Sequence, residues 1–269
     1  MRRADEAEVS RFLCQRPYEN VFLQWLIEND RSGASRQRLF VCRSGDGTLR
    51  GAVHFGRQVV LDAQDPGAIA ALANAAYAHR HERMIVARRA VAKEYWNAIK
   101  SWHAPPRLVR DRQPLLVVGR AELRSVSPAA VHTRLATAAE LEIVMENSAA
   151  MIECELGYDP RRATSGFRSN VRRMIDRGMW WIASVQGRAA FFCHVGPHTQ
   201  ATIQLQGVWT MPHVRGQGIA KAALAQICAK LLEDYPTVSL YVNDFNNAAL
   251  AVYNALGFTQ TGELCTLLF

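Results

Sequence analysis

The stretch Val208-Trp209-Thr210-Met211-Pro212-His213-Val214-Arg215-Gly216-Gln217-Gly218-Ile219-Ala220 decides the fold. The run from Ala201 to Thr210 reads as a strand, and a periodic helix follows from Gly218 towards Tyr235. Gly216 and Gly218 let the backbone turn tightly and approach a ligand with no Cβ in the way. The amides from Arg215 to Ala220 then gather at a helix N-terminus, where unpaired N–H groups and the helix dipole favour an anion. Strand, glycine loop and helix together predict a cradle for a pyrophosphate. The loop is not GxxxxGK[ST], which disfavours a nucleoside-triphosphate site. It is not GxGxxG either, and it comes late in its domain, so a dinucleotide site is weakly supported.

Outward from the loop, Val238 to Val242 reads as a strand, Asn247 to Leu256 as a helix and Thr259 to Phe269 as a terminal pair of strands. Upstream, Val131 to Leu135 reads as a strand, with helices over Ala138–Leu156 and Gly166–Arg177. Trp180–Val185 and Ala189–Val195 form a hairpin about Gln186-Gly187. A first block shows a similar order. Asn20–Glu28 is amphipathic, Leu39–Cys42 is a strand, and Leu49–Leu61 a longer one. Asp65-Pro66 opens an Ala-rich helix towards Arg80, and Met84–Ala87, Ala90–Trp102 and Leu115–Val118 add strand, helix and strand. Ser125 to Ala130, rich in Ser and Pro, is the expected linker between a domain over residues 1–124 and one over residues 131–269.

Composition narrows the class. With 269 residues, 49% hydrophobic and 21% charged, the chain is an ordinary globular one, long enough for two domains. It contains no apolar run of bilayer-spanning length, and the charged start Met1-Arg2-Arg3-Ala4-Asp5-Glu6 leads into no secretory apolar region, so a cytoplasmic protein is expected. Cys14, Cys42, Cys154, Cys193, Cys228 and Cys265 form no CxxC pair and read as reduced thiols, with no metal site implied. Residues 1–124 hold 21 Lys and Arg against 13 Asp and Glu, whereas residues 125–269 hold 11 of each. That basic half is read as a solvated surface. Nucleic-acid binding is the weakest of three functional readings, because no basic run is interleaved with aromatics.

The order V-x-x-x-P-x-x-R-G-x-G-I-A, helix, strand, then Asn246-x-x-Ala249-x-x-x-Tyr253-x-x-Leu256-Gly257-Phe258 resembles the GNAT superfamily of N-acetyltransferases over residues 131–269. The stretches Gln206–Trp209 and Ser239–Asn246 are similar to a two-domain bacterial group within it. The resemblance implies an α+β fold on a mixed sheet, with a complete C-terminal GNAT domain and a degenerate N-terminal one. It implies acetyl-CoA as co-substrate, bound at its pyrophosphate by Arg215, Gly216, Gln217, Gly218, Ile219 and Ala220. Val208 would place a backbone group near the thioester carbonyl, Thr210 would pair with the pantetheine arm, and Asn246 would contact the cofactor. Tyr253 would protonate the leaving thiolate.

The sequence departs from the family at the strand before the loop, where many members carry a carboxylate. Thr202, Gln204 and Gln206 stand there instead. Glu153 and Glu155, at the end of a helix, are the expected candidates for the base that frees the acceptor amine. His194, Trp180, Trp181 and Trp209 are read as structure, and Arg168, Arg172 and Arg173 as a solvated face. At the first block's counterpart of the glycine loop stands Asp62-Ala63-Gln64-Asp65-Pro66-Gly67, which lacks the paired glycines and brings two carboxylates to a phosphate position. That block is expected to bind no CoA and to pack against, or roof, the cleft of the second. The primary expectation is direct acetyl transfer to a small-molecule or peptide amine, with a non-catalytic acyl-CoA-binding module as the alternative. Oligomeric state and acceptor identity are not encoded in these motifs.

Overall fold

A computed structural model describes residues 3–29, 33–79, 82–126, 130–163 and 166–269. Arg80 and residues 127–129 of the expected linker lie outside the described residues. The strands are β1 (Leu39–Arg43), β2 (Leu49–Phe55), β3 (Gln58–Ala63), β4 (Met84–Arg88), β5 (Leu108–Gly119), β6 (Val131–Leu135), β7 (Trp180–Val185), β8 (Arg188–His198), β9 (Ile203–Thr210), β10 (Thr237–Tyr241) and β11 (Thr259–Leu268). The helices are α1 (Arg3–Leu13), α2 (Val21–Glu28), α3 (Pro66–Ala76), α4 (Arg89–Ile99), α5 (Leu141–Leu156), α6 (Pro160–Ala163), α7 (Phe167–Asp176), α8 (Ile219–Leu231) and α9 (Asn247–Ala255). No described helix is long and apolar enough to cross a membrane.

All eleven strands join one mixed sheet in the order β1-β2-β3-β4-β11-β5-β10-β9-β8-β7-β6. The middle of that order is where the two halves meet. β5, from the first half, pairs antiparallel with β10 of the second, and the C-terminal β11 pairs antiparallel with β4 of the first. β5 and β11 also pair with each other, from Thr259 opposite Val117 to Leu268 opposite Leu108. The rest repeats about this pair. β3 runs parallel to β4 with α3 between them, and β9 runs parallel to β10 with α8 between them. Each half therefore lends its last strand to the other's sheet. The first half extends the sheet edge to edge rather than roofing the second.

Helices cover both faces. α8 and α9 bury Ile219, Leu224, Ile227, Tyr253 and Leu256 against Leu116, Phe191, Leu205 and Leu240. α5 and α7 cover the opposite face of the same strands through Val144, Val171 and Ile175, against Trp180, Ile182 and Phe192. In the first half, α3 and α4 pack on β3, β4 and β11, while α1 and α2 cover the other face.

Three expected elements differ. The run Leu49–Leu61 is a hairpin, β2 and β3, folded about Gly56-Arg57. The turn hides in the sequence because its glycine sits inside an apolar run without Asn or Asp. The terminal segment is one strand rather than two, since its partner β5 lies far away in sequence. β5 itself starts seven residues before the expected Leu115, through the polar run Leu108–Pro114 that ladder pairing with β11 stabilises.

Candidate active site

The site begins where β9 and β10 part. The two strands pair at two positions only, Ile203 with Val238 and Gln204 with Ser239. Beyond Gln204, β9 continues to Thr210 without a partner on that side. A bulge bends it away. Between the pairs His194–Gln206 and Phe192–Trp209, β9 carries one residue more than β8, and Gly207 there has φ +60°. The Met211 amide donates to Ala190 O on β8, so strand alternation turns the amide groups of Val208 and Thr210 into the gap. Open sheets of this kind bind ligands at the carboxyl ends of their parallel strands.

The loop after β9 closes one end of the gap. Gly216 and Gly218 have φ of +76° and +77°, and a Cβ on either would meet nothing within 4 Å. Gly218 caps α8 without any side-chain acceptor. Among the described residues, no protein acceptor is recorded for the first-turn amides of α8, Ile219 to Lys221, whereas Ala222 resumes the helical pattern by donating to Gly218 O. These unpaired donors stand at the positive end of a helix, which fits a diphosphate. Arg215 lies across the rim, its Nε donating to Thr210 O at 3.0 Å and its guanidinium 4.4 Å from the Trp209 ring. A ligand strand pairing with Thr210 O must displace that contact. Asn246 caps α9 by accepting from the Ala249 amide at 3.1 Å, which leaves its Nδ2 as the group available to a ligand.

Tyr253 lies on α9, is buried in the core beneath α8 and α9, and packs 5.6 Å from the Phe258 ring. Burial, with smaller contributions from Cys193, Cys228 and Glu155, pushes its phenol well above the ordinary value, so it holds its proton. Glu155 lies within electrostatic reach of Tyr253 and also raises the phenol of Tyr241. Glu155 is exposed at the α5 terminus, yet protein stands around its carboxylate on one side. That crowding raises its pKa, and Arg110 opposes the shift. Glu153 is exposed and acts on Arg161, away from the gap. The two glutamates therefore differ in their electrostatic partners: Glu155 acts weakly on Tyr253, and Glu153 acts on Arg161. Thr202 and Gln204 are buried and spend their side chains on structure: Thr202 Oγ1 bonds Ser239 Oγ at 3.0 Å, and Gln204 accepts from Gln206 at 2.9 Å. His194 packs 4.6 Å from the Trp180 ring, and burial lowers its pKa to about 4.

Residues 144–258 match the family model described as the Acetyltransferase (GNAT) family, and residues 38–144 match a domain of unknown function, DUF4081. The second half of the chain is a GNAT acetyltransferase domain. A comparison with curated proteins found no match. Among solved structures, the chain is similar to a GCN5-related N-acetyltransferase from Kribbella flavida, with 16% identity, 96% and 94% of the two chains covered, and a TM-score of 0.62. It is also similar to a GCN5-related N-acetyltransferase from Sphaerobacter thermophilus (16% identity, 86% and 81% covered, TM-score 0.56). A third similar structure is a GCN5-related N-acetyltransferase-like protein from Streptococcus suis (14%, 98% and 98%, TM-score 0.54). At these identities the likeness establishes the fold, and the GNAT domain places the chain among acyltransferases.

The GNAT-like first half has the same strand order with its gap closed. β3 and β4 pair at four positions, from Gln58–Met84 to Leu61–Ala87. Beyond them Arg88 ties the pair shut, its Nε donating to the fully buried Asp62 at 2.8 Å. Asn20 adds a bond to the same carboxylate at 2.9 Å. The N-terminus of α3 is capped by Asp65, which accepts from the Ala68 amide at 2.9 Å. A side-chain carboxylate here takes the first-turn amide that α8 leaves without a side-chain cap.

Two features of the GNAT site escaped the sequence reading. Beside the glycine loop, Arg124, Ser125, Val126, Gln217, Lys221 and Ala255 line an open depression. Arg124 reaches it because the linker docks on α9, its amide donating to Leu256 O at 3.0 Å and Glu122 O lying against Gly257. The second feature is β5, which places Arg110 beside Glu155. Neither has a local motif, because each depends on the sheet crossing between halves. Another depression, lined by Glu28, His198, Asp234 and Tyr235, lies at the opposite end of α8, away from the loop and Tyr253.

Proposed function

We propose that the GNAT domain transfers an acetyl group from acetyl-CoA to a primary amine of a small-molecule or peptide acceptor, directly and without a covalent enzyme intermediate. The observation that carries this reading is the set of unpaired first-turn amides of α8, Ile219 to Lys221, beside the gap where β9 and β10 part. The residues fit the co-substrate. The amides hold its diphosphate, Arg124 and Lys221 add positive charge beside it, and the inward-facing backbone of Val208 and Thr210 pairs with an extended arm. Bound acetyl-CoA supplies an activated acyl group. Glu155 accepts the proton that frees the amine lone pair, the C–N bond forms as the C–S bond breaks, and Tyr253 delivers its proton to the departing thiolate. The Val208 amide steadies the negative charge on the carbonyl oxygen. The first half, its strand pair tied shut by the buried Asp62 and by Arg88, takes no CoA.

The hydrogen-bonded Gln204 and Gln206, where a carboxylate would stand, favour a second reading as a non-catalytic acyl-CoA binder. Titration calorimetry with acetyl-CoA, alongside thiol release in an amine screen, separates the two. One site per chain, lost in an Arg215→Glu/Gly218→Asp variant, together with amine-dependent thiol release, supports the enzyme. Binding without turnover of any amine supports the second reading. No binding overturns both.

A further inference from the structure

The wall of the gap opposite the glycine loop is built by the first half of the chain. β5 runs alongside β10, and past its end the Val242 amide donates to Pro114 O and the Asp244 amide to Arg112 O. This brings the start of β5 against the loop after β10 and against the C-terminal end of α5. Arg110 donates to Glu155 O at 2.7 Å and lies 5.0 Å from the ring of Phe245, which is 63% exposed. Arg107 donates to Leu156 O at 2.9 Å and lies 5.3 Å from the Tyr158 ring.

The cations around this wall fall into two sets. Arg112 is paired with Glu263, and Arg89 and Lys93 are both paired with Asp111. Arg107 also donates to Phe269 O at 3.4 Å, whereas Arg110 has no carboxylate within hydrogen-bond distance among the described residues. Each spends part of its guanidinium on a helix-terminal carbonyl. A guanidinium has five N–H donors in a planar fork, so a full bidentate edge can remain for a ligand. Arg110 acts on the Glu155 carboxylate electrostatically without a hydrogen bond to it. A cation and an anion therefore stand side by side at the mouth of the gap, neither locked in a direct ion pair.

We infer that the acceptor is an amine that also carries a carboxylate, an amino acid being the simplest case. Its carboxylate sits on Arg110 and its amine faces Glu155. This inference rests on the proposed acetyl transfer and adds the substrate class. A zwitterion matches both charges at once, whereas a plain amine leaves Arg110 unmatched and a polyamine meets repulsion from it. Phe245, beneath the guanidinium, holds its plane while leaving the fork edge free. In this arrangement Arg110 is an acceptor-binding residue contributed by the first half.

The test uses the full chain and measures thiol release with acetyl-CoA. The acceptors are α-, β- and γ-amino acids, each compared with its amide and its decarboxylated amine. Arg110→Gln and Arg110→Lys variants are run beside wild type, with acetyl-CoA affinity measured by calorimetry in each. The expected result is a preference of at least about tenfold in kcat/KM for a carboxylated acceptor over its neutral partners. Arg110→Gln, which can still donate to Glu155 O, should raise KM for that acceptor about tenfold. Arg110→Lys should recover part of the loss, and acetyl-CoA affinity should not change. Equal turnover of carboxylated and neutral amines overturns the inference, as does an unchanged KM in Arg110→Gln. Turnover confined to amines without a carboxylate also overturns it while leaving acetyl transfer standing. Failure to bind acetyl-CoA instead removes the reading on which it rests.

Discussion

A Cβ built on Gly207 would come within 2.8 Å of the His194 ring, so the bulge of β9 and the imidazole of β8 fit together only while residue 207 has no side chain. Gly207 also has φ +60°, which an L side chain rarely adopts. Gly207→Ala should therefore destabilise the domain by about 1–3 kcal/mol. If the fold survives, the bulge should flatten and weaken acetyl-CoA binding. Denaturant melts and calorimetry measure the two effects, and unchanged stability would show that the ring moves aside without cost.

His194 gives a pH prediction. Burial lowers its pKa to about 4, below the unfolded value of 6.5. The unfolded chain therefore binds a proton that the folded chain refuses between those two pH values. The stabilising contribution is complete above pH 6.5 and is lost as pH falls towards 4. The loss amounts to roughly 3 kcal/mol at most. Stability curves for wild type and His194→Gln should diverge over that window, with the variant showing the shallower fall on acidification.

Glu155 and Tyr253 should shape opposite limbs of the rate profile. The raised carboxyl pKa means that activity should fall on acidification at a pH above the usual carboxylate range of about 4. Glu155→Gln should remove that limb, while Glu153→Gln should leave it in place. Tyr253→Phe should lower kcat by about 100-fold or more with little change in acetyl-CoA affinity. A Tyr253→Phe variant with unchanged kcat would mean that the thiolate leaves without this acid.

Arg124 and Lys221 predict a salt-dependent share of co-substrate affinity. Removing both side chains, as Arg124→Ala/Lys221→Ala, should raise the dissociation constant of CoA about tenfold and flatten its dependence on salt. Arg168→Ala, whose guanidinium pairs with Glu142 on an exposed helix face, should do neither.

Gly257 holds the linker. Its φ is +93°, and a Cβ there would collide with Glu122 O. Gly257→Ala should release the segment that carries Arg124, and so lower both thermal stability and CoA affinity. Loss of stability alone would separate linker docking from binding.

Residues close together in sequence determined much of this protein. The glycine loop, the capping Asn246 and Tyr253 lie within one strand–helix–strand–helix run; the loop follows from a helix terminus, and the roles of Asn246 and Tyr253 were implied by the family resemblance. The first half's lack of a cradle was equally legible, since Asp65 caps α3 with its own carboxylate. Tertiary structure alone decided the exchange of β5 and β11, because a backbone ladder carries no label for its distant partner and Gln113 meets Leu264 only in the folded sheet. It also set Glu155 apart from Glu153, since the two share a helix end and differ in the charged groups packed near them: Arg110 for Glu155 and Arg161 for Glu153. The same crossing of strands brings Arg110 and Arg124 to a site whose motifs lie more than eighty residues further along the chain. The phosphate cradle is local backbone geometry, which a short stretch of sequence can specify. The acceptor wall is assembled by packing between distant segments, which only the folded chain brings together.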